Sequence, residues 1–408
     1  MKRPALIINR QPHRWLFDAD RCLVPLAELE PHLVTHTDGG LDGLDPTQFP
    51  HTYVCALQDD DEWSRTCEWI AREHRIERII APNERFLLLA ARLRTTLGLP
   101  GIQHHTARLF RDKLDMKRTV QAASVPVPDF TALDAREQIT PLDWHTTPKV
   151  IKRRDYVGAM DIHVVHSAEH ALQVWDQLAP DPGRYEIETY VDGDLYHCDA
   201  VVHNATVAFA SSARYTVKPG DFRRGGMGGS TLTPPGPLRD RIYQLNAQVI
   251  SALGLQDGVT HLEVFHTPDD ELVFCEVAAR PGGGFIDLMN RRAHGVNLTE
   301  LAILLEAGLP IPALPHSSTT TARTWGWLGF FPDGDNDNSV PAEAFTELGI
   351  VEHRHDPRPT GAPRHASDFR DEYLYSAPDE TSFHKLTAQI CDAYTQSARR
   401  PELDHRAA

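Results

Sequence analysis

Long hydrophobic runs are missing from this sequence. No apolar stretch approaches the roughly 18 residues that a membrane-spanning helix needs, so neither a span nor a membrane partner is expected. The apolar part of the opening segment, Ala5-Leu6-Ile7-Ile8, reads as a short strand rather than a secretory signal. Basic charge is in deficit. Against 57 Asp and Glu there are 41 Lys and Arg, a formal charge of −16. Such a surface repels phosphodiester backbones, which argues against nucleic acid as a partner. Cysteine is sparse, and Cys22, Cys55, Cys67, Cys198, Cys275 and Cys391 include no C-x-x-C pair. Most sit in apolar runs, as reduced core residues of a cytoplasmic protein would. The 22 histidines are scattered. Their two local clusters, His104-His105 and His353-Arg354-His355-Asp356, lack the i, i+4 spacing of a helical zinc site, so they are expected to be ordinary surface side chains. No G-x-G-x-x-G motif follows a predicted strand, and no repeat or low-complexity tract stands out.

What is present is an ordinary globular mix, 41% apolar and 24% charged over 408 residues, a length that suggests two to three domains. The first hundred residues alternate strand and helix. Strands are expected at Ala5–Asn9, Thr52–Leu57 and Ile76–Ala81, with helices at Asp60–His74 and from Asn83 to Leu97, where Gly98 stops the second. That order predicts a small parallel sheet covered by helices. A helix is expected over Thr106–Ala123, ended by Pro126 and Pro128. Strands at Val150–Lys152 and Ile162–Val165 flank a loop. Strands at Tyr185–Val191, Tyr196–His203 and Thr206–Ser211 follow, then a helix at Leu238–Leu253. Pro310-Ile311-Pro312 and Ser317–Thr321 read as a linker, Pro332–Ser339 as a polar loop, and Phe383–Ala398 as a closing helix.

The sharpest signal is His261-Leu262-Glu263-Val264-Phe265-His266-Thr267-Pro268-Asp269-Asp270-Glu271-Leu272-Val273-Phe274-Cys275-Glu276. Two alternating strands flank turn residues. A turn of two or four residues sets Leu262 opposite Val277, Val264 opposite Cys275, and Glu263 opposite Glu276. An odd turn breaks that opposition. Leu262, Val264, His266, Val273, Cys275 and Val277 then face the core, and the two glutamates stand side by side on the other face. Opposed like charges repel. Protonation, an intervening cationic side chain or a divalent cation such as Mg²⁺ each relieves the repulsion, and solvation on an exposed hairpin is the bland alternative. The next residues carry a guanidinium, Arg280, and then Gly282-Gly283-Gly284. Arginine neutralises charge on a transferring phosphoryl group, and glycines let backbone N–H groups approach an anion.

This constellation resembles the ATP-grasp superfamily, specifically its carboxylate–amine ligases of the L-amino acid ligase type, closely from Thr106 to Leu309. The resemblance implies an α/β and α+β chain: an N-terminal parallel α/β (pre-ATP-grasp) domain over 1–105, a two-lobed ATP-grasp fold over 106–312 and a small C-terminal domain over 313–408. It implies ATP with Mg²⁺ (Mn²⁺ as a substitute), the metal held by Glu263 and Glu276. Arg280 matches the phosphate-contacting arginine. Asp112-Lys113 and Val150-Ile151-Lys152 match the two lysines that meet the phosphates. The charge over 149–155 is locally positive, with Lys149, Lys152, Arg153 and Arg154 against Asp155. Arg153–Asp161 takes the place of the phosphate-covering loop. Glu188, Thr189, Tyr190 and Val191 match the adenine linker, with main-chain groups at Thr189 and Val191 reading the base. His197 matches a position near the nucleotide. Two positions depart from the pattern: Ala278 replaces a metal-binding Asn, and Leu195 a ribose-binding Glu, whose part either falls to Asp194 or Glu188 or is absent.

The basic, glycine-rich stretch from Arg214 to Ser230 offers Arg214 and Arg223 for a substrate carboxylate, with a surface loop as the plain alternative. Arg280 and the N–H groups of Gly283 and Gly284 are candidates for the acyl oxygen. The resemblance implies transfer of the γ-phosphoryl of ATP to a carboxylate, attack by an amine, and release of ADP and phosphate. Small-molecule carboxylates and amines, amino acids among them, are the expected partners, and a homodimer is compatible with the reading. An ATP-dependent carboxylase of the biotin-carboxylase or purine-pathway kind shares the nucleotide motifs. A non-catalytic ATP-binding module is the alternative from another class.

Overall fold

The computed structural model describes residues 2–397 except 39, 146, 157, 159, 179–183, 219–225, 318–320, 333–338 and 358–367. The N-terminal layer is a parallel sheet of β1 (Arg3–Ile8), β4 (Leu29–His36), β5 (His51–Cys55) and β6 (Arg78–Ile80), in the order β5-β4-β1-β6. A short hairpin of β2 (Phe17–Asp18) and β3 (Arg21–Cys22) sits between β1 and β4 in sequence. Helix α1 (Asp60–Glu73) is capped by Asp59, whose side chain accepts from Glu62 N–H, and it buries Trp63, Cys67 and Ile70. Helix α2 (Leu87–Leu97) ends at Gly98, whose φ of +67° is the left-handed conformation a C-terminal stop requires. Strand β4 was not anticipated. Pro31, His32, Thr35 and His36 interrupt its apolar pattern, yet it pairs on both sides and all its residues except Glu30 are buried.

The expected helix over Thr106–Ala123 is two helices, α3 (His104–Leu109) and α4 (Lys113–Ala122). Asp112 breaks and restarts the chain: its side chain accepts from the N–H groups of Leu114 and Asp115. A small lobe follows, with β7 (Phe130–Leu133), β8 (Lys149–Arg153), β9 (Ile162–Val165) and β10 (Tyr185–Thr189) ordered β7-β10-β8-β9 and backed by α5 (Ala168–Gln177). The large lobe contains β11 (Asp194–His203), β12 (Thr206–Tyr215), β13 (Met227–Leu232), β14 (Gly258–His266) and β15 (Leu272–Ala278), with helices α6 (Pro237–Leu253), α7 (Ile286–His294) and α8 (Leu298–Ala307). The last segment adds β16 (Thr324–Phe330), β17 (Ile350–His355), β18 (Asp371–Ala377) and helix α9 (Glu380–Ser397). Its strands continue the large-lobe sheet, giving eight strands in the order β15-β14-β11-β12-β13-β16-β18-β17. The expected polar loop at 332–339 and linker at 317–321 lie largely outside the described residues.

The eight-stranded sheet separates two environments. On one face Tyr196, Cys198, Ala200, Leu262, Val264, Phe274 and Val277 pack with Ile242, Val249 and Leu253 of α6 and Met116 and Val120 of α4. Because side chains alternate along a strand, the other face carries Leu195, His197 and Asp199 from β11 and His261, Glu263 and Phe265 from β14. Among the described residues, no helix is long and apolar enough to cross a membrane.

Candidate active site

Glu263 pairs with Glu276 across β14 and β15, as expected, but by a different route. His266 pairs with Leu272, so the turn Thr267–Glu271 has an odd number of residues. Left uncorrected, that register would set Glu276 opposite Leu262 and turn it into the core. A β-bulge restores the match: Val264 pairs with Phe274, Glu263 with Glu276, and Cys275 is the extra residue. Phe274, not Cys275, therefore fills the core, and Cys275 joins Glu276 on the cleft side.

The two carboxylates have separate partners. Glu276 Oε2 lies 3.0 Å from Lys113 Nζ. Burial would raise its pKa, but Lys113 and Lys152 outweigh this and bring it down to about 2. Glu263 Oε1 accepts from the Tyr215 hydroxyl at 2.8 Å, with His261 Nε2 at 3.7 Å. Tyr215 is reached because β12 runs four residues beyond the expected end at Ser211. Burial and then the adjacent Glu263 hold its phenol well above the usual range.

Lys113 and Lys117 are four apart on α4, so they share a face. Lys117 is fully buried between Glu186, at 2.6 Å, and Glu188. Lys152, opposite Glu186 on β8, reaches Glu188 Oε1 at 2.7 Å. Burial opposes its charge, yet Glu188, Glu186 and Glu276 hold its pKa well above the ordinary lysine value. The other cations of 149–155 are spent within the protein: Arg154 pairs with Asp112, Arg153 with Asp155, and Lys149 lies over the Trp144 ring. The positive patch read from the sequence thus reduces to Lys152 at the cleft wall.

The cleft encloses about 270 Å³. Val150, Ile162, Val164, Tyr190, Val191, Leu195 and Phe265 supply apolar walls, while Lys113, Lys152, Glu188, Glu263, Glu276, Arg280, Gly283 and Gly284 supply polar groups. Gly158 and Ala278 also line it. Arg280 Nε donates to Glu84 Oε2 at 2.7 Å and its Nη1 to Pro281 O at 2.7 Å. Glu84 also pairs with Arg111. Gly284 has φ +59°, and a Cβ there would stand 2.4 Å from Cη2 of Trp327.

Several expectations need correction. The Thr189 N–H donates to Asp129 O at 2.8 Å and the Tyr190 N–H to Pro148 O at 2.9 Å, so Thr189 cannot offer its amide to a base. His197 is fully buried, with Nδ1 2.7 Å from Asp199 and Nε2 2.9 Å from the Ser230 hydroxyl, and it is not part of the cleft wall. Arg214 faces the opposite way from Tyr215, is exposed and pairs with Asp194 at 3.3 Å. Asp194, itself exposed, is not among the residues that line the cleft. Arg223 lies outside the described residues.

Further groups complete the site. His261 bonds Asp199 Oδ1 through Nδ1 at 2.8 Å and Tyr215 through Nε2 at 3.1 Å. Burial disfavours its charge, but Asp199 and Glu263 overcome this and raise its pKa to about 9. Its position two before Glu263 was a usable signal, since i and i+2 share a strand face. Lys117, four after Lys113, was equally legible. Glu84 had no local signal, whereas Trp327 belongs to the Trp325-Gly326-Trp327 run, whose rings suit a pocket wall. His197, Asp199 and His261 bring ligand atoms within 4.8 Å of one another. Hydrogen bonds already occupy both nitrogens of His197 and both Asp199 oxygens, so the trio is a clamp on His261 rather than an ion site.

No family model matches the chain. It is 26% identical over 291 residues to an L-arginine-specific L-amino acid ligase of Bacillus subtilis, spanning 68% of each protein. Its fold matches the crystal structure of an L-amino acid ligase from Bacillus licheniformis with a TM-score of 0.73 and 17% identity, over 96% of this chain and 98% of that one. The chain thus shares its fold with an L-amino acid ligase and is related in sequence to another. Its fold also matches the biotin carboxylase domain of Hydrogenobacter thermophilus 2-oxoglutarate carboxylase, crystallised with MgADP and bicarbonate. There the TM-score is 0.69 at 16% identity, over 97% of this chain and 90% of that chain.

Proposed function

We propose that the protein joins an amino-acid carboxylate to an amine, consuming ATP and releasing ADP and phosphate. The observation that carries this is the opposed pair Glu263 and Glu276, set in one cleft with Lys113, Lys152 and Arg280. Two carboxylates beside phosphate-binding cations are a donor set suited to Mg²⁺, with phosphate oxygens and water completing its shell. The ion, when bound, screens the negative charge of the triphosphate.

The apolar walls suit a purine. Of the linker amides, Val191 follows two that are already bonded, and we assign it to the base edge. Lys113 and Lys152 are point charges suited to phosphate oxygens. Arg280, with Nε and Nη1 engaged, presents Nη2 to the transferring phosphoryl group or the acyl oxygen. The N–H groups of Gly283 and Gly284 complete that cradle. The acceptor carboxylate takes the γ-phosphoryl with ADP as leaving group. The amine then attacks the acyl carbon, a C–N bond forms, and phosphate leaves. Trp327 and Phe369 wall the cleft and keep water from the activated acyl group. Six unpaired cysteines fit a reducing cytoplasm.

The test is to incubate the protein with ATP, Mg²⁺ and pooled amino acids, following ADP and phosphate and identifying products by mass. Amino-acid-dependent ADP release with a new amide is expected. AMP release, or no stimulation by any amino acid, sinks the reading. Bicarbonate-dependent release would mark a carboxylase, and tight ATP binding without turnover a binding module.

A further inference from the structure

The scattered histidines converge at one place outside the cleft. Strands β4 and β5 are parallel neighbours with His32 beside His51, and β5 is the sheet edge. Glu30, two residues before His32, shares its face. His74, the residue that ends α1, lies against the same pair. Ring centroids are 4.7 Å apart for His32 and His51 and 4.2 Å for His32 and His74. Glu30, His32 and His51 each bring one ligand atom within 4.8 Å of the others, and His51 Nε2 is 3.6 Å from Glu30 Oε1.

We propose that Glu30, His32 and His51 form a binding site for a divalent transition metal of the zinc class, separate from the nucleotide cleft. Two imidazoles and a carboxylate are a nitrogen-rich set that favours Zn²⁺, Co²⁺, Ni²⁺ or Cu²⁺, whereas Mg²⁺ and Ca²⁺ prefer oxygen alone. Tetrahedral ligands at about 2.0–2.1 Å from zinc stand roughly 3.4 Å from each other, close to the His51–Glu30 separation, and the His51 ring, stacked within 9° of His32, turns out of that stack to aim its nitrogen at the shared ion. Both side chains are partly exposed, at 42% and 48%, and free to close on an ion. His32 is the fixed member. It is buried, and the Tyr53 hydroxyl lies 3.3 Å from its Nδ1, leaving Nε2 for the metal. Tyr53 is also 3.2 Å from His74 Nε2, so His74 and Tyr53 form the outer support that orients a ligating imidazole. A bound ion would clip the edge strand β5 to β4.

The experiment uses the full-length, tag-free chain, stripped with a chelator and titrated with Zn²⁺ by calorimetry in excess Mg²⁺. One Zn²⁺ per chain is expected at this site. The affinity should fall tenfold or more in His51→Ala and Glu30→Ala and stay unchanged in a Glu263→Gln/Glu276→Gln variant. Zinc should raise the melting midpoint of the parent by several degrees and leave His51→Ala unmoved. Both single substitutions are on exposed side chains, and circular dichroism checks that each variant folds. Absence of zinc uptake, or equal affinity and equal melting shift in His51→Ala, overturns the site.

Discussion

Glu84 Oε2 accepts a hydrogen bond from Arg280 Nε at 2.7 Å, although 196 positions separate the two residues. The N-terminal layer is therefore part of the cleft, because its carboxylate decides where the guanidinium points. Arg280 and Arg111 keep Glu84 ionised against burial. Glu84→Ala should lower kcat for ADP formation on the order of tenfold or more, since a small misplacement of a charge-stabilising group is costly. Glu84→Gln, which keeps one acceptor oxygen, should recover part of it. Steady-state kinetics with saturating ATP measure both.

Glu276→Gln and Glu263→Gln each remove one of two opposed carboxylates. Turnover should fall about 10²–10³-fold, the usual cost of losing a preorganised charge at a reacting centre. The Mg²⁺ concentration for half-maximal rate should rise as well. Unchanged magnesium dependence would show that the pair does not serve the metal.

Lys117 has no exposed surface and bridges Glu186 and Glu188. Lys117→Met leaves both carboxylates to Lys152 alone. Breaking a buried ion pair from one side costs about 3–5 kcal/mol. A large drop in the urea midpoint is expected, with loss of nucleotide binding as the small lobe loosens.

The pKa of His261, raised to about 9, fixes the sign of a pH effect. Between about 6.5 and 9 the folded protein keeps a proton that the unfolded chain has released. The stabilisation is complete below the lower value and is lost as pH rises through the upper one. The His261 imidazole resonance should titrate near the upper value in the parent. In Asp199→Asn, where burial is less opposed, it should titrate well below it.

Gly284→Ala places a methyl group against the Trp327 indole at a left-handed φ of +59°. The combined clash and backbone strain cost on the order of 1–3 kcal/mol. A reduced kcat is expected, and comparing Trp327→Phe alone with the double variant separates strain from contact.

Local chemistry made the cleft legible. The alternation around Glu263, the Lys113 and Lys152 positions and the Arg280–Gly284 run are short patterns, and all these residues meet in the cleft. Pairings across sequence were hidden. Nothing near Glu84 announces Arg280, and nothing near His32 announces His51, because strand order in a parallel sheet is a tertiary choice. Strand β4 was missed for the same reason: contacts on both sides stabilise a segment whose own pattern is broken by Pro31 and His32. Arg214 misled because adjacent strand residues point opposite ways, and Tyr215 holds the inward position.

The bulge at Cys275 ties the facing of Glu276 to one extra residue in the strand. With the turn Thr267–Glu271 kept, flattening the bulge into a regular ladder would set Cys275 opposite Glu263 and Glu276 opposite Leu262, rotating the carboxylate into the apolar layer. Deleting Cys275 outright would instead leave Glu263 opposite Glu276 in an unbroken ladder. A hairpin shortened at this thiol-bearing residue should therefore keep its magnesium dependence, whereas one that retains the residue but forces it into the ladder should fold and fall silent.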